Sequence, residues 1–214
     1  MARWVMLVDL SKCIGCDTCN HVCAQTNRVP PGRRFRQLFE GPVEENSGGR
    51  RLFVTTNCMH CGDPPCLNVC PSGATKQRAD GIVYIDYDSC MGCGSCVVAC
   101  PYKARSIADE DVVVGCGPAG SLGAANNEGR DLIGVCIKCD FCLERLDRGL
   151  AKGLKPGIDP EATPMCVRYC ISEALYFGDA DDSTSQVSRM ISENRVVRLG
   201  EDLGTKPSVY YIVE

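Results

Sequence analysis

Two short stretches of this chain alternate along the backbone and then break off in the same way. Residues 5–24 read VMLVDLSKCIGCDTCNHVCA and residues 82–101 read IVYIDYDSCMGCGSCVVACP. Each predicts a β-strand, because successive side chains of a strand point to opposite faces. An Asp, a short turn, a cysteine-rich loop and a helix start follow in both, so the chain carries an internal repeat. Asp80-Gly81 is a tight-turn signal, and Thr75–Gln77 is expected to pair with Ile82–Ile85 as a hairpin. Ser183–Asn194 reads as a short surface helix and Val209–Val213 as a last strand. Residues 41–51 (GPVEENSGGRR), the glycine-rich residues 115–130 and residues 149–164 lack periodicity and read as insertions.

The chemistry lies in the cysteines. Sixteen of eighteen fall into four groups: Cys13, Cys16, Cys19 and Cys23; Cys58, Cys61, Cys66 and Cys70; Cys90, Cys93, Cys96 and Cys100; and the looser Cys139, Cys142, Cys166 and Cys170. The first and third groups have the C-x2-C-x2-C-x3-C spacing of cubane iron–sulfur ligation, in which the last cysteine serves the neighbouring cluster of a pair. Three thiolates at that spacing can wrap three corners of a cube from one loop. The fourth cysteine lies beyond the loop and opens a helix, with Pro71 and Pro101 tolerated there for want of a needed amide donor. Motifs of this kind therefore come in reciprocating pairs.

Residues 58–101 make a complete two-cluster unit of strand, motif, hairpin, strand and motif. The first and fourth groups, at its two ends, are left to pair with each other. The expected fold is α+β: two ferredoxin-like modules, the inner one (58–101) inserted in a split outer one (1–57 and 102–182). Residues 183–214 would add a C-terminal helix and strand. A disulfide framework requires no such rhythm and suits shorter secreted chains. Zinc sites use separated C-x2-C pairs and do not explain the two regular runs or the Cys-Pro endings, though one degenerate site could hold zinc.

Composition narrows the partners. The hydrophobic fraction of 44% counts the cysteines, and only one Trp and five Phe are present. Much of the interior should then be cluster, folding should be coupled to its insertion, and an iron-free chain should be poorly structured. The net charge of −4 becomes more negative with anionic cubanes, which argues against nucleic-acid binding. Arg28, Arg33, Arg34, Arg36, Arg50 and Arg51 form a basic exception, read as a solvated or cluster-compensating face or as a docking patch. No window approaches the roughly 20 apolar residues of a membrane span, and the N-terminus lacks the parts of a signal peptide. A cytoplasmic location, or attachment to a membrane through partners, is the expectation.

The chain resembles the four-cluster iron–sulfur (beta) subunits of molybdopterin and tungstopterin oxidoreductases, the DMSO reductase family, polysulfide reductase included. The resemblance runs from VMLVDLSKCIGC through NCMHCGDPPCLNVCPSGA, DGIVYIDYDSCMGCGSCVVACPYKAR, CDFCLERLDRG and PMCVRYC to KPSVYYI. It implies four 4Fe-4S clusters, held by Cys13, Cys16, Cys19 and Cys170; by Cys23, Cys139, Cys142 and Cys166; by Cys58, Cys61, Cys66 and Cys100; and by Cys70, Cys90, Cys93 and Cys96. It also implies a large pterin-bearing catalytic subunit beside the first two clusters and a quinone-reactive membrane subunit, or another acceptor, beyond the last two. Ala24 and Ile171 follow Cys23 and Cys170, a departure from the Cys-Pro pattern of Cys70-Pro71 and Cys100-Pro101. Cys136 offers the last group an alternative register, while CDFCLER matches the family through to Arg145 and selects Cys139 and Cys142. Cys116 reads as a non-ligand thiol.

His60 and His21 sit inside cysteine motifs already complete, which leaves a surface or packing role, or hydrogen bonding near a cluster, ahead of the iron-ligand role histidine takes in Rieske-type centres. Lys12, Lys103 and Arg105 flank the motifs and could raise cluster potentials electrostatically, though charged residues beside a loop are ordinarily just solvated. No Ser/His/Asp constellation and no nucleotide-binding fingerprint is present. The functional expectation is a non-catalytic electron-transfer subunit, with a free-standing polyferredoxin as the alternative and a cluster-based sensor as a third.

Overall fold

The computed structural model describes residues 2–30, 32–41, 51–108 and 132–213. Cys116, Arg50, most of the 41–51 insertion and the glycine-rich 115–130 insertion lie outside them. The described elements are β1 (Trp4–Asp9), α1 (Thr18–Asn27), β2 (Arg36–Glu40), β3 (Phe53–Asn57), α2 (Pro65–Asn68), β4 (Thr75–Gln77), β5 (Val83–Ile85), α3 (Ser95–Ala99), β6 (Ser106–Ile107), β7 (Cys136–Ile137), α4 (Leu143–Ala151), α5 (Met165–Arg168), β8 (Leu175–Asp179), α6 (Gln186–Glu193), β9 (Val196–Val197) and β10 (Val209–Ile212). The result is α+β, a four-stranded sheet ordered β8-β1-β10-β9 and three two-stranded ribbons, β2–β3, β4–β5 and β6–β7.

β1 is buried along its whole length. Trp4, Met6 and Val8 face a core that also contains Cys23, Cys58, Cys61, Cys139 and Cys166. Val5 and Leu7 face the opposite side, against Val187 of α6 and Ile212 of β10. A strand covered on both faces needs apolar residues at nearly every position, which is why WVMLV departs from strict alternation. Ser185 caps α6, its hydroxyl accepting a bond from the Ser188 N–H at 3.1 Å. β10 is an interior strand, parallel to β1 and antiparallel to β9, and the Tyr211 hydroxyl donates to the Thr55 carbonyl at 3.2 Å.

The internal repeat extends beyond its motif. β4 pairs with β5 as a hairpin, Thr75 opposite Ile85, and β8 pairs antiparallel with β1, Val8 opposite Leu175. The strand-end amides match: Asp86 N–H reaches Ala74 O and Asp9 N–H reaches Ala174 O, both at 2.8 Å. Both cysteine loops need a left-handed residue between their first two cysteines, Gly15 (φ 70°) and Gly92 (φ 68°). A Cβ on Gly92 would run into the Gly134 carbonyl oxygen. At the next such position the two halves differ, Asp17 (φ 58°) in one and Gly94 (φ 75°) in the other.

Candidate metal centres

The loop after β1 carries Cys13, Cys16 and Cys19, and the turn after α5 brings Cys170 to them. Burial pushes the Cys13 thiol up, and the like charges of Cys19, Cys170 and Cys16 push it further. Cys23 on α1 meets Cys166 on α5, with Cys139 and Cys142 completing a second group. The Asn27 amide donates to Cys23 Sγ at 3.3 Å and to Cys142 Sγ at 3.8 Å, tying two elements distant in sequence. Burial raises Cys139, helped by Cys23 and Cys166.

Cys58, Cys61, Cys66 and Cys100 line one small cavity together with Tyr102 and Arg105. Burial, then Cys58, pushes the Cys61 thiol up to about 12. Cys70, Cys90, Cys93 and Cys96 line another cavity, and a fifth cysteine joins them. This is Cys136: its sulfur lies 3.4 Å from Cys96 Sγ, and its N–H donates to Cys90 Sγ at 3.5 Å. The register alternative at Cys136 thus has a spatial answer, since β7 turns this thiol toward the fourth site. The ladder with β6, in which Ile107 faces Cys136, places it there.

The four groups stand in series. Cys19 acts on Cys166 across the first and second, and Cys58 acts on Cys139 across the second and third. Arg105 touches Cys66 of the third at 3.0 Å and lies among the charges of Cys96 and Cys136 at the fourth. Exposure follows the same order. Cys16 in the first site and Cys93 in the fourth are exposed, while three of the four cysteines in each middle site are buried.

The donor set fits cubanes on several counts. Among the described residues no three Cys, His, Asp or Glu side chains close on one point tightly enough to hold a single ion, whereas a cubane spreads its thiolates around a larger body. Backbone amides aim at the sulfurs: Thr75 N–H at Cys70 (3.4 Å), Ala174 N–H at Cys170 (3.3 Å) and Ala104 N–H at Cys100 (3.5 Å). Such bonds are how a protein orients and tunes an iron–sulfur group. Most telling is Arg36, 1% exposed, whose Nη2 has no hydrogen-bond partner among the described residues. It forms no ion pair with a carboxylate among the described residues, and a buried cation without a counter-charge is expensive. An anionic cluster held by the cysteines beside it would supply that charge. Thiols crowded and buried in this way hold their protons in isolation, and a coordinating metal removes them outright.

Arg36 and Arg105 depart from the solvated reading of the charged residues, and Lys138 is not singled out by the sequence. The basic run does not form one face: Arg34 pairs with Asp17 and Arg51 with Glu40 at the surface, while Arg36 turns inside. Arg105 is buried rather than solvated, and Lys138, which the motif spacing does not single out, is buried beside Cys139. A charged residue framed by apolar ones in GVCIKCDF was the available signal. Lys12 and Lys103 are exposed as expected. His21 is exposed; His60 is fully buried, stacked on Phe141 at 3.7 Å, and accepts the Val83 N–H on Nδ1 at 3.1 Å. Burial, then Lys138 and Arg105, keeps its pKa well below the usual histidine range, so it is neutral.

Residues 50–117 match the 4Fe-4S dicluster domain family. Along nearly the whole chain there are curated relatives. The B subunit of selenate reductase from Mesobacillus selenatarsenatis is 38% identical, covering 98% of this chain and 72% of that protein. The B subunit of tetrathionate reductase from Salmonella typhimurium is 34% identical, covering 98% and 72%. The Hdr-like menaquinol oxidoreductase iron-sulfur subunit 1 of Archaeoglobus fulgidus is 34% identical, covering 98% and 82%. No helix among the described residues is long and apolar enough to cross a membrane. The cysteine sites and these relatives agree: the chain belongs to the family of 4Fe-4S iron–sulfur B subunits of DMSO-reductase-family enzymes, and its work is electron transfer.

Proposed function

We propose that this chain holds four 4Fe-4S clusters in single file between a molybdopterin or tungstopterin catalytic subunit and an electron acceptor, quinone-linked at a membrane or soluble. The ligand sets are Cys13, Cys16, Cys19 and Cys170; Cys23, Cys139, Cys142 and Cys166; Cys58, Cys61, Cys66 and Cys100; and Cys70, Cys90, Cys93 and Cys96. When bound, the clusters supply reversible one-electron transfer. The inner module is 58–101 and the outer one is split around it, a reading supported by the matched pairing of β8 with β1 and of β4 with β5.

The observation that carries the proposal is the gradient of exposure. Only the first and fourth sites include an exposed cysteine, Cys16 and Cys93. Apolar side chains are exposed beside each: Ile14 and Ile171 at the first site, Met91 and Val69 at the fourth. Trp4, Phe141 and Phe177 pack over the middle of the series and keep water from it. Electrons therefore have two places to enter or leave, each framed by surface suited to a partner.

Native mass spectrometry of the anaerobically isolated complex, with iron counted, tests this. About sixteen irons on this chain, four per cubane, with a large pterin-bearing subunit attached is the expected result. A lone monomer with that iron would make it a free polyferredoxin, and a lower count would break the ligand sets.

A further inference from the structure

Three buried cations lie along the series of sites, and each stands between two of them. Arg36 is 1%, Lys138 2% and Arg105 5% exposed. Arg36 donates to Cys166 Sγ at 3.7 Å, Met6 Sδ at 3.1 Å and Thr55 Oγ1 at 3.2 Å. Thr55 Oγ1 in turn lies 4.0 Å from Cys19 Sγ of the first site, so Arg36 reaches the second site directly and the first through Thr55. Arg105 donates to Cys66 Sγ and to Thr75 Oγ1, both at 3.0 Å. Its Nη1 also lies 4.0 Å from Cys136 Sγ, which touches Cys96 Sγ of the fourth site at 3.4 Å. The Lys138 ammonium donates to the carbonyls of Val83 and Cys139 and acts on Cys66, so it spans the second and third. The Asp140 carboxylate, two residues on, feels Lys138 but forms no ion pair with it. Arg36 and Arg105 have no carboxylate partner among the described residues either.

Ribbons β2–β3 and β6–β7 deliver these side chains. Arg36 opens β2 opposite Asn57. Arg105 directly precedes β6, and Lys138 directly follows β7. The ribbons thus have a purpose the ferredoxin-like repeat does not explain.

We infer that Arg36, Lys138 and Arg105 are positioning cations of the electron path, one at each junction, and that each is shared by the two sites it separates. The inference rests on the four-cluster reading above. Each reduction adds one electron from the donor and removes none from the protein, so a fixed positive charge at the junction favours the reduced state on both sides. Arginine keeps its charge throughout, and Arg36 and Arg105 compensate the added electron without taking up a proton. A side chain serving only one site, or only packing, would not act on two.

The test is a redox titration of the isolated holoprotein complex followed by electron paramagnetic resonance, on wild type, Arg36→Gln, Lys138→Gln and Arg105→Gln. Arg36→Gln should lower the midpoint potentials of the first and second centres, Lys138→Gln those of the second and third, Arg105→Gln those of the third and fourth. Each shift should reach at least a tenfold change in the reduction equilibrium, about 59 mV for one electron. Arg36→Lys, Lys138→Arg and Arg105→Lys should recover most of it. A shift confined to one centre, equal shifts in the charge-retaining variants, or no shift would overturn the proposal. Should the neutral variants lose iron, wild-type protein carrying 15N-arginine decides by pulsed resonance. Nitrogen coupling to the reduced centres supports contact, and its absence overturns it. Fewer than four centres in the wild type would instead break the four-cluster reading, and the shared junctions with it.

Discussion

The first and fourth sites and the two sites between them are built from similar cysteine spacings, yet they sit in different surroundings. The terminal sites hang on loops whose outward residues, Cys16 and Cys93, meet the surface. The middle sites are walled by β1, by Phe141 and by Phe177, and five of their cysteines, Cys23, Cys58, Cys61, Cys139 and Cys166, lie in the same buried cluster as Met6 and Val8. The motif sets how a thiolate reaches its corner; what packs outside the motif sets whether that corner is core or surface. The middle sites should therefore answer for the fold and the terminal ones for exchange with partners.

The sharpest way to break this contrast is to remove one ligand of each kind. Cys139→Ser should cost more iron than one cluster contains and lower the yield of folded protein, because an unmatched polar group is left where apolar and cluster contacts close the core. Cys93→Ser should lose about four irons and keep a cooperative thermal transition. Equal collapse of both would erase the distinction.

Backbone strain sharpens it within the terminal pair. Gly92→Ala puts a side chain on a left-handed residue, at about 1–2 kcal/mol, and drives it into the Gly134 carbonyl. Thermal melting should fall markedly and the fourth site should lose iron. Gly15→Ala meets the Phe53 ring first, at 2.5 Å, and a side chain can swing aside where a backbone carbonyl cannot, so its first site should suffer less.

Exposure of the wild-type holoprotein to oxygen should strip the terminal sites before the middle ones, followed by the successive loss of resonance signals; simultaneous loss would mean that burial gives no protection. The smallest effect is expected from Ser72→Ala and Ser172→Ala. Their hydroxyls sit 3.8 and 3.7 Å from Cys70 and Cys170, a contact each about 1 kcal/mol or less. Slight, similar falls in the potentials of the two terminal centres are the expected reading.

How much of this was written in the sequence depends on how local the signal is. The cysteine groups were legible because a cubane demands its ligands at short, fixed spacings, and the hairpin because Asp80-Gly81 marks its turn. β10 was legible as a strand, but its place beside β1 was not, because parallel pairing over such a separation leaves no local mark. Arg36 looked like its surface neighbours Arg33 and Arg34. What takes it inside is the register of β2 on β3, where it lies opposite the buried Asn57. Cys136 was legible only as a misplaced member of its own group, since its contact with Cys96 depends on the short β6–β7 ladder.

The parallel pairing of β1 with β10 also imposes an order of manufacture. On the ribosome, the inner stretch from Cys58 to Cys100 emerges as a unit and can close locally, whereas Met6 must wait for Val209 and Cys13 for Cys170. Contacts between such distant positions form late. The nascent chain accordingly spends most of its synthesis with its first cysteine loop open, and that loop can be closed only once the C-terminal strand has been made.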